Sequence, residues 1–409
     1  MRSLHIRLPQ RFYALFGYIV FSSIVVTLLL ELGAFLVLSA YHWVRPDLQQ
    51  NFASTSPAYS GYPWASGFWK EEKSRWNSQR HGSYEPFRIW GATPLQGKYI
   101  NTDQTPNGVW RRTINPTGPG CEKQTSVELW MFGGSTLYGT GVPDWATIPS
   151  FLSRDLNSAH VRCVVVTNFG VEGYVTNQEV MLLMEQLKIG RHPDIVIFYD
   201  GVNDSYAGAV EPGIPRAHVS LSIIKARVEG TLAGRLDFLR NSYALQLAGT
   251  AVNYLHRASI AEPKMEETDS KAGATLDNYE ANLRILRILG EAYGFRVFCF
   301  WQPAFVYGHK SLDPFEMKIA GNVSARRSFR ILTVVYQQAE RRAATDHTFV
   351  FLGDIFDSVK EPFYIDQWMH LAPLGNEFVA HSVANAVDDS FGPQSGTGSP
   401  NRLGNRENR

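Results

Sequence analysis

VELWMFGGSTLYG, residues 127–139, decides how this chain is read. Its apolar run, Val127 to Phe132, reads as a buried strand, and it ends in two glycines and a serine ahead of a helix expected from about Asp144. A serine at such a strand end, with small residues beside it, leaves its hydroxyl and its backbone N–H open to the crevice where open α/β sheets bind ligands. Gly-Gly-Ser also occurs in ordinary turns, so Ser135 gains weight only from the rest of the chain.

Three later blocks supply it. NFGVEGY (168–174) comes after the apolar run Val161 to Thr167, and YDGVND (199–204) after Asp194 to Phe198. YIDQWMHLAPLGN (364–376) sets an aspartate close to a histidine ahead of a last helix. The first two sit just after predicted strands and the third in the loop after one, which puts all four blocks on one sheet edge. Strands are expected at 127–132, 161–167, 194–199, 296–301 and 348–352. Helices are expected at about 144–157, 176–189, 277–293, 322–344 and 374–389. This alternation implies a parallel sheet. A long insertion, 205–276, separates the third and fourth strands. Its apolar residues at helical spacing, from Ile224 to Leu247, suit a lid, an acyl-binding wall or a helical layer on the sheet. Residues 261–275 are polar and read as a mobile loop, and 391–409, rich in Gly, Ser, Pro and Asn, as a disordered tail.

With these blocks in this order, the chain resembles the SGNH hydrolase superfamily, the GDSL esterases and lipases, over roughly residues 125 to 385. The resemblance implies a three-layer α/β/α domain with a five-stranded parallel sheet (flavodoxin-like) and a serine hydrolase acting on ester bonds without a cofactor. It makes Ser135 the nucleophile, Gly173 the oxyanion-hole glycine, Asn203 the oxyanion-hole asparagine and His370 the general base. One position departs from the pattern. The family's aspartate stands three residues before the histidine, whereas here position 367 is Gln and Asp366 lies four before His370. A helical turn over 367–369 lets Asp366 reach the imidazole; an extended loop leaves a Ser135–His370 dyad oriented by a backbone carbonyl. Taken singly, Gly173 also suits a positive-φ turn and Asn203 an Asx-turn. Asp200 and Asp204 read as turn former or helix cap. Trp301 and Gln302 end the fourth strand on the same edge and are candidate pocket residues, with strand-end packing the other reading of Trp301.

The residue types fit the chemistry. A serine hydroxyl is a poor nucleophile at neutral pH, so a neutral imidazole must take its proton during attack and return it to the leaving alcohol. A carboxylate on the far ring nitrogen fixes the tautomer and stabilises the imidazolium. The tetrahedral intermediate then needs rigid donors, here the N–H groups of Ser135 and Gly173 and the Asn203 amide.

The N-terminus bears on compartment. From Phe12 to Leu30 no residue is charged, and beyond Glu31 the apolar character continues from Leu32 to Ala40. That is long enough to cross a hydrocarbon core of about 30 Å, and longer than the apolar region of a cleaved signal peptide. Arg2, Arg7 and Arg11 precede it, which keeps the tip cytoplasmic and sends the rest outside, periplasmic or extracellular. The expected organisation is a tip at 1–11, a transmembrane helix at 12–40, an aromatic-rich juxtamembrane cap at 41–120, the catalytic domain at 121–390 and the tail. Within the cap, 98–116 reads as a hairpin turning near Asn107-Gly108 that joins cap to core.

Composition narrows the partners. With 39 Lys and Arg against 38 Asp and Glu, net charge is +1, with no basic stripe for a nucleic acid. No histidine pair or C-x-x-C spacing signals a metal. Of the three cysteines, Cys121 and Cys163 are the candidate disulfide and Cys299 a buried thiol. The expected function is a membrane-anchored extracytoplasmic serine esterase acting on an acylated small molecule or glycan, O-acetyl groups of envelope glycans among them. A polysaccharide O-acetyltransferase and a noncatalytic SGNH-like glycan-binding scaffold are the alternatives.

Overall fold

The computed structural model describes residues 10–44, 52–78, 82–118, 121, 126–159, 163–210, 213–232, 239, 241–257, 265–324 and 327–388. Most of the expected tip, part of the 261–275 loop and the 391–409 tail lie outside them. In chain order the elements are α1 (Gln10–Val44), α2 (Ala65–Ser78), β1 (Ser83–Glu85), β2 (Ile89–Gly91), β3 (Thr102–Thr105), β4 (Gly108–Arg111), β5 (Val127–Gly133), α3 (Ser135–Tyr138), α4 (Ile148–Ala159), β6 (Val164–Asn168), α5 (Thr176–Lys188), β7 (Ile195–Asp200), α6 (Val202–Ser205), α7 (Leu221–Val228), α8 (Tyr243–Arg257), α9 (Met265–Tyr293), β8 (Arg296–Trp301), α10 (Pro314–Ser324), α11 (Arg327–Asp346), β9 (Val350–Phe351) and α12 (Pro373–Asp388).

The chain divides into two compact units, Met1–Phe52 with Ser220–Pro263, and Ala53–Val219 with Lys264–Arg409. The second holds the sheet, in the order β3-β4-β6-β5-β7-β8-β9. Its five strands from β6 to β9 are parallel, as expected, with Val127 opposite Val164, Leu129 opposite Ile195, and Ile195 opposite Arg296. The five-strand expectation is nevertheless short by two. The β3–β4 hairpin, turning at Pro106–Asn107, adds antiparallel at the edge, where Arg111 pairs with Asn168. Its strands are only four residues each, with Thr102 the one buried residue of β3 and Trp110 and Arg111 those of β4, so no alternating core pattern marks them as sheet.

Every residue of β7 is buried, as a central strand covered on both faces requires. Two helical groups supply the cover, α4 packed on α12, and α9 packed on both α5 and α11. The expected loop at 261–275 is corrected, since Met265 onward is helical in α9. Thr268, Ala272, Thr275, Leu276 and Tyr279 are the buried residues of its first half. They recur at helical spacing, but the first three are small and barely apolar, so hydropathy hides the pattern. Of the 205–276 insertion, α7 buries no residue, and α7 and α8 group with α1 in the first unit, while its last part, from Met265, belongs to the second unit as the start of α9.

Residues 53–118 carry the aromatic cap. Phe68, Tyr99 and Ile100 form one buried cluster with Trp64, Trp69 and Leu95. A second joins Ala53 and Tyr59 to Ile365 and Ala372, which stand on either side of His370 in its block. The Tyr59 hydroxyl also donates to the Gly141 carbonyl at 2.7 Å, so these rings serve packing first.

Cys121 and Cys163 are bridged across 42 residues, and Cys299 is a buried free thiol, as the sequence suggested. Closing a loop of that length removes chain entropy worth about 4 kcal/mol. A Cys121→Ser/Cys163→Ser variant is expected to lose about 2–4 kcal/mol in guanidinium unfolding, with the native far-UV spectrum retained in the absence of denaturant.

Candidate active site

Strand order explains why the four blocks meet. The chain steps from β5 out to β6, then returns past β5 to β7, so the loops leaving β5 and β7 part company at the carboxyl end of the sheet and open a crevice. Ser135 stands at the head of α3 in that crevice, where the first turn of a helix leaves its N–H groups without intrahelical acceptors.

Gly134 sets the spacing. A Cβ there would fall 2.3 Å from Asn203 Nδ2 and 3.3 Å from the Tyr174 carbonyl oxygen, so only glycine lets the three loops close on one another. The second block is pinned by backbone hydrogen bonds from Phe169 N–H to the Met131 carbonyl (2.8 Å) and from Val171 N–H to the Gly133 carbonyl (3.0 Å). Gly173 has φ +78°, the left-handed conformation anticipated for a turn glycine. The Asn203 amide donates one N–H to the Tyr174 carbonyl at 2.8 Å, which leaves its second N–H for a ligand.

The histidine block completes the group. His370 Nε2 lies 2.7 Å from Ser135 Oγ, and His370 Nδ1 lies 2.6 Å from Asp366 Oδ2. The four-residue spacing is bridged by a tight turn instead of a helical one. Asp366 Oδ1 accepts from Trp368 N–H (2.8 Å) and His370 N–H (3.4 Å), and buried Met369 takes φ +62°, an uncommon conformation for a side chain of its size. The dyad fallback is therefore unnecessary. Burial disfavours a charged imidazole at His370, but the Asp366 carboxylate, helped by Glu172 and Glu72, outweighs it and lifts the pKa above the usual imidazole value. Burial pushes Asp366 the other way, and the His370 charge and hydrogen bonds hold it below the usual carboxylate range.

Of the pocket candidates, Gln302 comes closest, its amide 3.5 Å from the hydroxyl of Thr136, the residue after Ser135. Trp301 is corrected. It is completely buried among Tyr279, Tyr336 and Phe349 and lines no pocket, because the alternation of β8 turns it into the layer under α9 and α11.

Several residues at the site went unread in the sequence. Trp90 of β2 donates its indole N–H to the Glu172 carbonyl at 2.9 Å, one peptide before Gly173. Glu172 itself accepts from Thr140 Oγ1 (2.8 Å) and from Arg75 (3.1 Å), which also forks onto Glu72. Burial would raise the Glu172 pKa, but Arg75 and Thr140 keep it lowered and ionised. The only signal was the aromatic density of the cap, which says nothing about which ring reaches which loop. Behind Asn203, Asp200, Asp204 and Glu179 are buried together, in the supporting role expected of the two aspartates. Burial raises all three: Asp204, bonded by the Thr176 hydroxyl at 2.7 Å, is pushed up to about 6, and Glu179 and Asp200 are pushed well above the usual carboxylate range by burial and by the neighbouring carboxylates.

Neither a family model nor a curated protein matches the sequence. Similar solved structures include a lipase/acylhydrolase from Enterococcus faecalis, at 15% identity over 64% of this chain and 96% of that one, with a TM-score of 0.35. An acetylxylan esterase from Geobacillus stearothermophilus follows at 14% over 64% and 94%, TM-score 0.33. A member of the lipolytic G-D-S-L family from Veillonella parvula stands at 13% over 64% and 99%, TM-score 0.29. At such identities and scores these likenesses carry no argument, and the chemistry rests on the side-chain geometry above.

That geometry fixes a titration. Followed by NMR on labelled histidine, His370 is expected to titrate above about 6.5 in the wild type. In Asp366→Asn the opposition to burial is largely gone, so its midpoint should fall; an unchanged midpoint would deny the Asp366 contact.

Proposed function

We propose that the protein is a serine esterase that cleaves O-acyl esters through an acyl-enzyme, held to a membrane by α1 with its catalytic domain outside the cytoplasm. The observation that carries this reading is the continuous chain of contacts from Ser135 Oγ through His370 to Asp366, at 2.7 and 2.6 Å.

In this reading neutral His370 takes the Ser135 proton as Oγ attacks the ester carbonyl, and Asp366 stabilises the imidazolium that forms. His370 then protonates the departing alcohol, leaving Ser135 acylated. Water, activated by the same imidazole, releases the acid; an alcohol in its place would accept the acyl group instead. The carbonyl oxygen becomes an anion during each attack. The Ser135 and Gly173 N–H groups and the free Asn203 N–H are its donors.

Trp90 bears on the second of these. In a trans peptide the C=O and N–H point in opposite directions, so a donor gripping the Glu172 carbonyl also sets the direction of the Gly173 N–H. Trp90 is thus a positioning residue for the oxyanion site. Beside His370, the partly exposed Trp368 lies edge to face with Tyr206 at 5.6 Å, and this pair supplies an aromatic wall for an acylated sugar or an acyl chain.

Membrane attachment rests on α1, which is apolar over Arg11–Val44 and largely exposed, unlike the core helix of a soluble domain. The arginines before it favour a cytoplasmic N-terminus.

Four outcomes test the proposal. Ser135→Ala should abolish both hydrolysis of a short chromogenic ester and labelling by a fluorophosphonate; wild-type labelling at no residue would end the esterase reading. Asn203→Ala should lower kcat by about 10²–10³ with the fold intact. Trp90→Phe should lower kcat while KM stays near wild type, because the ring packing remains and only the donor is lost. Since His370 must be neutral and its pKa is raised, kcat/KM should climb with pH through a midpoint above that of a free imidazole.

A further inference from the structure

α1 is 35 residues long, which at 1.5 Å per residue is about 50 Å, well beyond a hydrocarbon core of about 30 Å. With Arg11 at one boundary and the exposed Tyr41 and Trp43 at the other, as interfacial aromatics prefer, Glu31 falls about 18 Å below Trp43 along the helix axis. A carboxylate at that depth needs partners. It has them, both from the start of α8: Ser242 Oγ donates to Glu31 Oε1, and Tyr243 N–H donates to Glu31 Oε2 at 2.7 Å. Glu31 therefore satisfies the first N–H groups of α8 and places a negative charge at the positive end of its dipole. The Phe35 and Tyr243 rings meet edge to face at 5.1 Å, and Ala34 and Leu38 are buried in this otherwise exposed helix.

The side chains of α8 sort into faces. Ala244 and Leu247 are part-buried, Gln246 and Thr250 form a polar edge, and Leu245, Ala248 and Val252 form an exposed apolar stripe at i, i+3, i+7. α7 likewise exposes Ile223 and Val228 alongside Lys225 and Arg227. The segment 220–257 carries five Lys and Arg against two Asp and Glu. An apolar stripe continuous with a bilayer-crossing helix, next to basic residues, matches the acyl chains and anionic headgroups of one leaflet.

We propose that α8, pinned to α1 by Glu31, lies in the lipid leaflet at the C-terminal end of α1, with Leu245, Ala248 and Val252 facing acyl chains. The insertion then supplies a second membrane contact. This rests on the reading of α1 as a membrane anchor.

The test uses the full chain with single cysteines at Leu29→Cys, Leu245→Cys, Val252→Cys and Thr250→Cys, each labelled with an environment-sensitive fluorophore. The natural cysteines are bridged or buried and stay unlabelled. The protein is reconstituted in phosphatidylcholine vesicles containing a minority of phosphatidylglycerol. Probes at 29, 245 and 252 are expected to be blue-shifted and quenched by nitroxide-labelled acyl chains, with weaker quenching at 250. Adding Glu31→Ala should abolish quenching at 245 and 252 and leave that at 29. Quenching at 29 combined with iodide access at 245 and 252 overturns the proposal and leaves the anchor standing. Shielding of 245 and 252 from both quenchers overturns it as well, since a protein, such as a second copy of this chain, then covers the stripe. Loss of quenching at 29 overturns the anchor and the proposal together.

Discussion

The catalytic crevice depends on one close approach. At the end of β5 the backbone at Gly133 and Gly134 lies against the Tyr199 carbonyl and the Asn203 amide, with no room for a methyl group at either position. Because the first, second and third blocks meet there, this close packing sets the Ser135 hydroxyl, the Gly173 loop and the Asn203 amide side by side. Preorganised dipoles of this kind cost nothing to reorient when charge develops. The histidine block is the one contribution from a distant loop, and it is fixed instead by the Asp366 turn and by the packing of Ile365 and Ala372 on the cap.

The cap consequently does more than cover the domain. Tyr59 ties it to Gly141, Trp90 to the Glu172 carbonyl, and Arg75 to the Glu172 carboxylate. The first of these bonds reaches the loop that follows the first block, and the other two reach the second block itself. Arg75 also screens Glu172, whose charge raises the His370 pKa. A segment read in the sequence as an aromatic-rich juxtamembrane cap is thus part of the scaffold of the crevice.

Much of this was legible in the residues. Five apolar runs of strand length, alternating with helical segments, imply a parallel sheet, and the resemblance carried by four ordered blocks implies Ser135, Asn203, Asp366 and His370 as the site residues. What escaped did so for physical reasons. The β3–β4 hairpin adds to the sheet through short strands, with a single bridging pair between Arg111 and Asn168. The first turns of α9 bury threonine and alanine, which periodicity of hydropathy overlooks. Trp301 points inward because of the register of one strand, a fact that its position at a strand end leaves open. The contacts of Trp90 and Arg75 join residues more than eighty positions apart, and no local pattern encodes them.

The bridge between Cys121 and Cys163 has a consequence for the order in which the molecule is made. Both sulfurs lie ahead of the third parallel strand, the insertion and the histidine block, so under oxidising conditions the link can close on a chain that has emerged only as far as β6. The first strand–helix–strand unit, with its serine in place, would then be stapled while roughly half of the polypeptide was still to come. A chain interrupted at that point would hold Ser135 in place with neither His370 nor Asp366 yet made.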